Sequence, residues 1–190
     1  TQSIVNYFTL FAMLGVVNYG TRTIADCGSD RKKRSKTFWN IYILQLCCTI
    51  VSISVYMFYL TCICSQNIYI AFLQIFYLLG SLVDINWLFF GVEKFKITVS
   101  RNMVIRICSV VLILMLVRKP SDLWIYTLIM AGSAFLSNAI LWFFASKEID
   151  LKAIKNISRF EIISHIKPNL VLFVPLMAMS VYHIMDKTML

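Results

Sequence analysis

From Thr37 to Val83 the chain runs 47 residues without a charged side chain. As helix, at about 1.5 Å per residue, that is roughly 70 Å, twice the ~30 Å hydrocarbon core of a bilayer. The segment therefore has to cross a membrane, turn and cross back. Its polar cluster, Ser65-Gln66-Asn67, is where the turn is expected, which gives spans near 41–64 and 68–90. Composition excludes a soluble fold. The chain is 59% hydrophobic and 14% charged with a mean hydropathy of +0.77, whereas soluble domains carry about 25% charged residues.

The same test marks four further spans near 2–21, 103–117, 123–145 and 168–188, so the fold class is an all-α polytopic bundle of about six transmembrane helices. The 103–117 span is short unless Asn102 and the flanking cations snorkel to the interface. Gly20 is a candidate end for the first span, and Ser121 or Asp122 a candidate cap after Pro120.

The net charge of +9 raises nucleic acid as a partner, but the cations lie in short clusters between apolar blocks, which argues against it. Arg22, Arg31, Lys32, Lys33, Arg34 and Lys36 follow span one. Lys94, Lys96, Arg101 and Arg106 surround the junction of spans three and four. Lys147, Lys152, Lys155, Arg159 and Lys167 lie between spans five and six. These alternate connectors hold 15 of the 18 cations. By the positive-inside rule they are cytoplasmic, so span one runs inward and span six outward.

Residues 1–146 then form five spans, 147–167 a cytoplasmic connector and 168–190 a sixth span. In the connector, Ser158 and Glu161 have capping-box spacing. Apolar residues at every third position from Ile154 to Ile166 predict a short interfacial helix without a sharp amphipathic stripe. An opening Thr1 and an apolar end at Leu190 read as a fragment of a longer membrane protein. Five of the six cysteines fall inside or at the end of apolar blocks, without zinc spacing, and read as small packing residues.

No nucleotide loop, HExxH, GxSxG or paired carboxylates on one helical face is present, so no catalytic residue and no metal site is assigned. Ionisable residues within spans are the functional candidates, because a charge at the bilayer centre costs several kcal/mol. Asp84, with Asn86, forms a polar notch before Trp87, which reads equally as an interfacial anchor. Arg106 lies one turn after Asn102 on the same face: a snorkelling residue, or a cation facing a cavity. His183, Asp186 and Lys187 share a face near the end of span six. Pro168 suits a helix start and Pro175 a kink that can serve as a gate.

Four blocks carry a resemblance: IVNYFTLFAMLGVVNYGTRTIA (4–25), DINWLFFGVEKFKITVSRN (84–102), DLWIYTLIMAGSAFLSN (122–138) and HIKPNLVLFVPLMAMSVYHIMDKTML (165–190). They resemble the bacterial polysaccharide repeat-unit flippases of the multidrug/oligosaccharidyl-lipid/polysaccharide exporter superfamily. The resemblance implies two lobes around a central cavity, with this chain matching spans two to seven: the first lobe without its first helix, plus the start of the second.

It also implies a non-enzymatic transporter in the bacterial inner membrane. Its substrate would be an undecaprenyl-diphosphate-linked oligosaccharide, moved from the cytoplasmic to the periplasmic leaflet by alternating access in O-antigen, capsule or exopolysaccharide assembly. Membrane lipids and other polysaccharide-assembly membrane proteins are the implied partners. Arg22, Asn18, Arg106 and Asn86 are the substrate-binding candidates. Asp84 and Asp186 are candidates for coupling H+ or Na+, and no cofactor is implied. A multidrug or cation antiporter of the same superfamily, or a membrane-bound polymerase or ligase, are the rival readings.

Overall fold

A computed structural model of the chain describes residues 2–62, 72–119, 122–150, 153 and 159–189, with side chains for all of these but 2, 3, 159 and 180–189. The described elements are helical: α1 Gln2–Met13, α2 Val16–Ala25, α3 Arg31–Cys62, α4 Ile75–Val83, α5 Asn86–Gly91, α6 Phe95–Leu116, α7 Leu123–Glu148, α8 Arg159–Ser164 and α9 Ile166–Met189. Among the described residues five stretches are long and apolar enough to cross a membrane, and a shorter apolar helix pair covers Ile75–Gly91. The chain is a multi-pass membrane protein.

Two of the expected spans are discontinuous. Span one is α1 and α2, broken at Leu14 (φ 39°) and Gly15 (φ 75°). Left-handed backbone in succession ends the hydrogen-bond ladder, and glycine takes that conformation without strain. Span three is α4 and α5, broken at Asp84, whose extended ψ of 113° interrupts the helix. Spans one and three run in the same direction, with α1 against α4 and α2 against α5, so the two breaks lie at a similar depth. The second halves meet closely. A Cβ on Gly20 would stand 2.6 Å from the Trp87 ring, and one on Gly91 2.7 Å from the Ile24 side chain. Small residues here let two backbones approach, the usual device of helix association in lipid. Gly20 is thus a packing residue inside α2 and does not end it. Trp87 is no interfacial anchor: it is fully buried, stacked on Phe38.

Several boundaries differ from expectation. Helix α3 starts at Arg31, ten residues before the expected span, because the Asp30 carboxylate accepts from the Lys32 and Lys33 amides (2.9 and 3.2 Å) and caps it. Helix α6 starts at Phe95, so span four is not short, and Arg101 lies inside it. The short helix of the connector is α8, and Pro175 lies within α9. The Ser65–Asn67 turn and the Ser158 cap fall outside the described residues.

The cation-rich connectors gather at one end. Arg31 donates to the carbonyls of Ser146 (3.0 Å) and Ile149 (3.3 Å), and Arg34 to that of Glu148 (2.9 Å). The Glu148 carboxylate pairs with Arg34 at 3.6 Å and with Lys94. Three cations from two connectors thus terminate α7, whose last carbonyls carry the negative end of the helix dipole. Lys36 joins the group through Glu161 of α8 at 2.5 Å.

Candidate functional site

The break in span three exposes carbonyls that no helical N–H can reach, and in a bilayer each must find a protein donor. Every carbonyl from residue 80 to 84 does. Asn138 Nδ2 donates to Gly80 (3.0 Å), and Gln45 Nε2 to both Ser81 (2.7 Å) and Asp84 (2.8 Å). The Tyr42 hydroxyl donates to Leu82 (2.9 Å) and Trp142 Nε1 to Val83 (3.0 Å). The donors come from the two unbroken helices on either side, Tyr42 and Gln45 from α3, Asn138 and Trp142 from α7. Gln45 Oε1 in turn accepts from Trp87 Nε1 (3.0 Å), tying the first turn of α5 to the same amide.

Beside the break lies a polar centre. Asp84 Oδ1 accepts from the Asn86 amide (2.9 Å), the first of α5, and from Asn86 Nδ2 (2.7 Å). Asn86 Nδ2 also donates to Asn138 Oδ1 (3.1 Å), while Asn86 Oδ1 accepts from Arg101 Nη2 (3.0 Å). One asparagine therefore bridges a carboxylate and a guanidinium. Arg101 is 9% exposed, donates to the Ser137 carbonyl and to Asn102 Oδ1 (2.8 Å), and leaves its Nε unpaired among the described residues. A buried cation of this kind persists where a counter-charge and hydrogen bonds compensate its desolvation. The structure thus brings Asp84 and Asn86 together, as their spacing suggested, and adds Arg101.

Arg106 is one turn beyond Asn102 and shares a cavity with it, of about 290 Å³, between α4, α6 and α7. Tyr77 supplies the α4 wall, and Ser133, Ser137 and Asn138 the α7 wall. The Arg106 guanidinium, the Tyr77 hydroxyl and Asn102 Nδ2 make no hydrogen bond among the described residues.

A second cavity, of about 620 Å³, lies at the cation-rich end between α2 and the start of α9. Arg22, Thr23 and Asp26 face Lys167 and Pro168 across it, with Tyr19 in the wall. The Tyr19 hydroxyl shares a 2.6 Å hydrogen bond with His165 Nδ1. Deeper along this seam the Phe173 backbone covers Gly15, 3.2 Å from where a Cβ would stand. Asn18 is exposed on α2, one turn before Arg22. Pro175 is exposed on α9, and the side chain of Asp186 lies outside those described.

Counting charges to find span ends had put Arg101 in a connector. The signal that finds it is a polar stripe at helical spacing, Thr98, Arg101, Asn102, Arg106 and Ser109, with Thr98, Arg101 and Ser109 buried. Tyr42, Gln45 and Trp142 left no comparable mark, since they read as ordinary residues of apolar spans.

No curated protein and no solved structure matches the chain. A family model does. Its description is polysaccharide biosynthesis protein, and it matches residues 1–190, the whole length over which the broken spans and their polar centre are built. The chain belongs to the polysaccharide biosynthesis protein family.

Proposed function

We propose that this chain is part of a flippase that carries an undecaprenyl-diphosphate-linked oligosaccharide from the cytoplasmic to the periplasmic leaflet of a bacterial inner membrane, without catalysing a covalent step. The observation that carries the reading is the pair of parallel spans broken at similar depth beside an Asp–Asn–Arg centre whose arginine is buried and whose Asp84 and Asn86 are half-buried. Discontinuous membrane helices mark the substrate and ion sites of alternating-access transporters, and unwound backbone is tolerated in lipid only where it is enclosed by protein or lines a cavity. Membership of a polysaccharide biosynthesis family supports a substrate from that pathway.

The diphosphate end fits the cavity where Arg22 of α2 faces Lys167 of α9. Two cations against the single carboxylate of Asp26 favour an anion over the organic cations of a multidrug antiporter. The cavity spans the seam between what we read as the first lobe and the first helix of the second, so lobe rocking would open and close it. Asn18, on the exposed face one turn away, extends the polar surface. Of the two carboxylates considered for a coupling H+ or Na+, Asp84 and Asp186, our choice is Asp84, because it lies beside the break of span three.

Complementation tests the reading. A strain lacking its flippase, given the complete reading frame, should regain surface polysaccharide. Arg22→Ala should abolish the rescue and Arg22→Lys should impair it, at equal protein abundance in the membrane. Full rescue by Arg22→Ala would remove that residue from the site. Normal surface polysaccharide in the strain without any flippase would overturn transport of this substrate.

A further inference from the structure

The cavity between α4, α6 and α7 differs chemically from the Arg22–Lys167 cavity, and the difference says what each can hold. Three groups on its wall are hydrogen-bond donors with no partner among the described residues: the Arg106 guanidinium, the Tyr77 hydroxyl and Asn102 Nδ2. The Asn102 amide has one orientation that satisfies its neighbours. Its Oδ1 accepts from Arg101 (2.8 Å) and from the Ser137 hydroxyl (2.9 Å), so the Nδ2 protons remain for something else.

Acceptors stand among these donors. The hydroxyls of Ser109 and Ser133 each donate to a carbonyl of their own helix, that of Arg106 and of Met130, both at 2.9 Å. With the proton used in that bond, each oxygen presents lone pairs to a ligand. An ionised diphosphate offers acceptors only, and would meet the two serine oxygens without a proton between them. A sugar hydroxyl both donates and accepts, so a ring carrying several of them pairs with donors and acceptors alike. The remaining wall, with Ile105 and Met130, is apolar and suits the C–H face of such a ring. At about 290 Å³ the space is at the lower bound of small-ligand pockets, ~300 Å³, which is room for a single ring and not for a chain.

We infer that this cavity is a subsite for one pyranose residue of the oligosaccharide, with Tyr77, Asn102 and Arg106 donating to its hydroxyls and Ser109 and Ser133 accepting from them. The inference rests on the flippase reading and deepens it. Arg106 then serves the sugar, while Arg22 and Lys167 serve the diphosphate.

The test separates the two claims. Purified full-length protein in detergent is titrated with the lipid-linked oligosaccharide extracted from the source strain, with undecaprenyl diphosphate bearing no sugar, and with the free oligosaccharide released by mild acid. Tyr77→Phe removes a donor, and Arg106→Gln replaces a long charged donor by a shorter neutral one; no described protein group uses either, so both variants are expected to keep their fold. Loss of one neutral hydrogen bond should weaken binding of the lipid-linked oligosaccharide about two- to tenfold for Tyr77→Phe, and loss of a charged one about tenfold or more for Arg106→Gln. Affinity for undecaprenyl diphosphate should not change. Ala134→Phe, which fills the cavity, should remove binding of the free oligosaccharide.

Equal weakening of the sugar-free lipid would make the cavity a phosphate site and overturn the inference. So would wild-type affinity in Tyr77→Phe and Arg106→Gln while the wild-type protein binds the lipid-linked oligosaccharide, and the flippase reading would then survive. Binding of none of the three probes by the wild-type protein would overturn both. Should Ala134→Phe fail to fold, Tyr77→Phe and Arg106→Gln decide alone.

Discussion

Spans one and three are broken at a similar depth by opposite means. In span three the break is held open from outside: five consecutive carbonyls each accept a bond from α3 or α7, and Asp84 accepts from the first amide of the helix that follows. In span one the break is made by the backbone itself, at Leu14 and Gly15, and its one side-chain bond from outside among the described residues is a 3.4 Å contact from Thr49 to the Ala12 carbonyl. What covers it is Phe173 of α9. The first arrangement is fixed by many directional bonds from α3 and α7. The second depends on packing from α9, so it is the place where movement of α9 would reach the centre of α2.

If break three is a locked structure, removing its charged member should have the largest effect. Arg101→Leu removes the cation that Asn86 links to Asp84, and takes a donor from the Ser137 carbonyl, from Asn86 Oδ1 and from Asn102 Oδ1, the last of which keeps the Ser137 hydroxyl. Loss of one partner of a buried pair costs about 3–5 kcal/mol. Thermal unfolding of the purified protein in detergent, followed by circular dichroism, should show a marked fall in midpoint. An unchanged midpoint would mean that the centre is hydrated and not locked.

Gln45→Leu is the next largest. It strips donors from two carbonyls of the break and the acceptor from Trp87 Nε1, all in a buried setting. At about 1–3 kcal/mol for each unsatisfied group, with partial relaxation, a loss of about 2–4 kcal/mol is expected in the same measurement.

Gly15→Ala probes the other break. A residue with a Cβ at φ 75° costs about 1 kcal/mol, and the new methyl would press on the Phe173 backbone at 3.2 Å. A loss of about 1–3 kcal/mol should therefore be accompanied by altered transport, because the methyl pushes α9 from the seam. Loss of stability with unaltered transport would mean that the Gly15–Phe173 contact stays static.

The all-helical membrane fold was legible because length and hydropathy set it: 47 uncharged residues admit no other solution. The Asp84–Asn86 notch was legible too, since a carboxylate in an apolar run has to be accounted for. The breaks were not equally visible. Gly15 is a local signal for the first, whereas Asp84-Ile85-Asn86 contains no glycine or proline, and that break exists because donors some 40 and 60 residues away in sequence reach it. Arg101 was misplaced for a related reason. Near a span end, charge alone does not separate a snorkelling cation from a buried one, and the decision lies with Asn86 and Ser137 on other helices.

The smallest expected effect sharpens the contrast between the breaks. Gln45 and Thr49 lie one turn apart on the same face of α3, and each serves a different break. Thr49 Oγ1 already donates to the Gln45 carbonyl at 2.8 Å within its own helix, and its contact to Ala12 is long at 3.4 Å. Bonds weaken as they stretch beyond about 3.2 Å. Thr49→Val keeps the shape and removes the hydroxyl, so stability should fall by less than about 1 kcal/mol, a fraction of the loss from Gln45→Leu one turn away. Unfolding midpoints of the two variants, measured side by side, decide this. Equal losses would show that span one is held from α3 as firmly as span three, and the assignment of the movable break to Gly15 would fall.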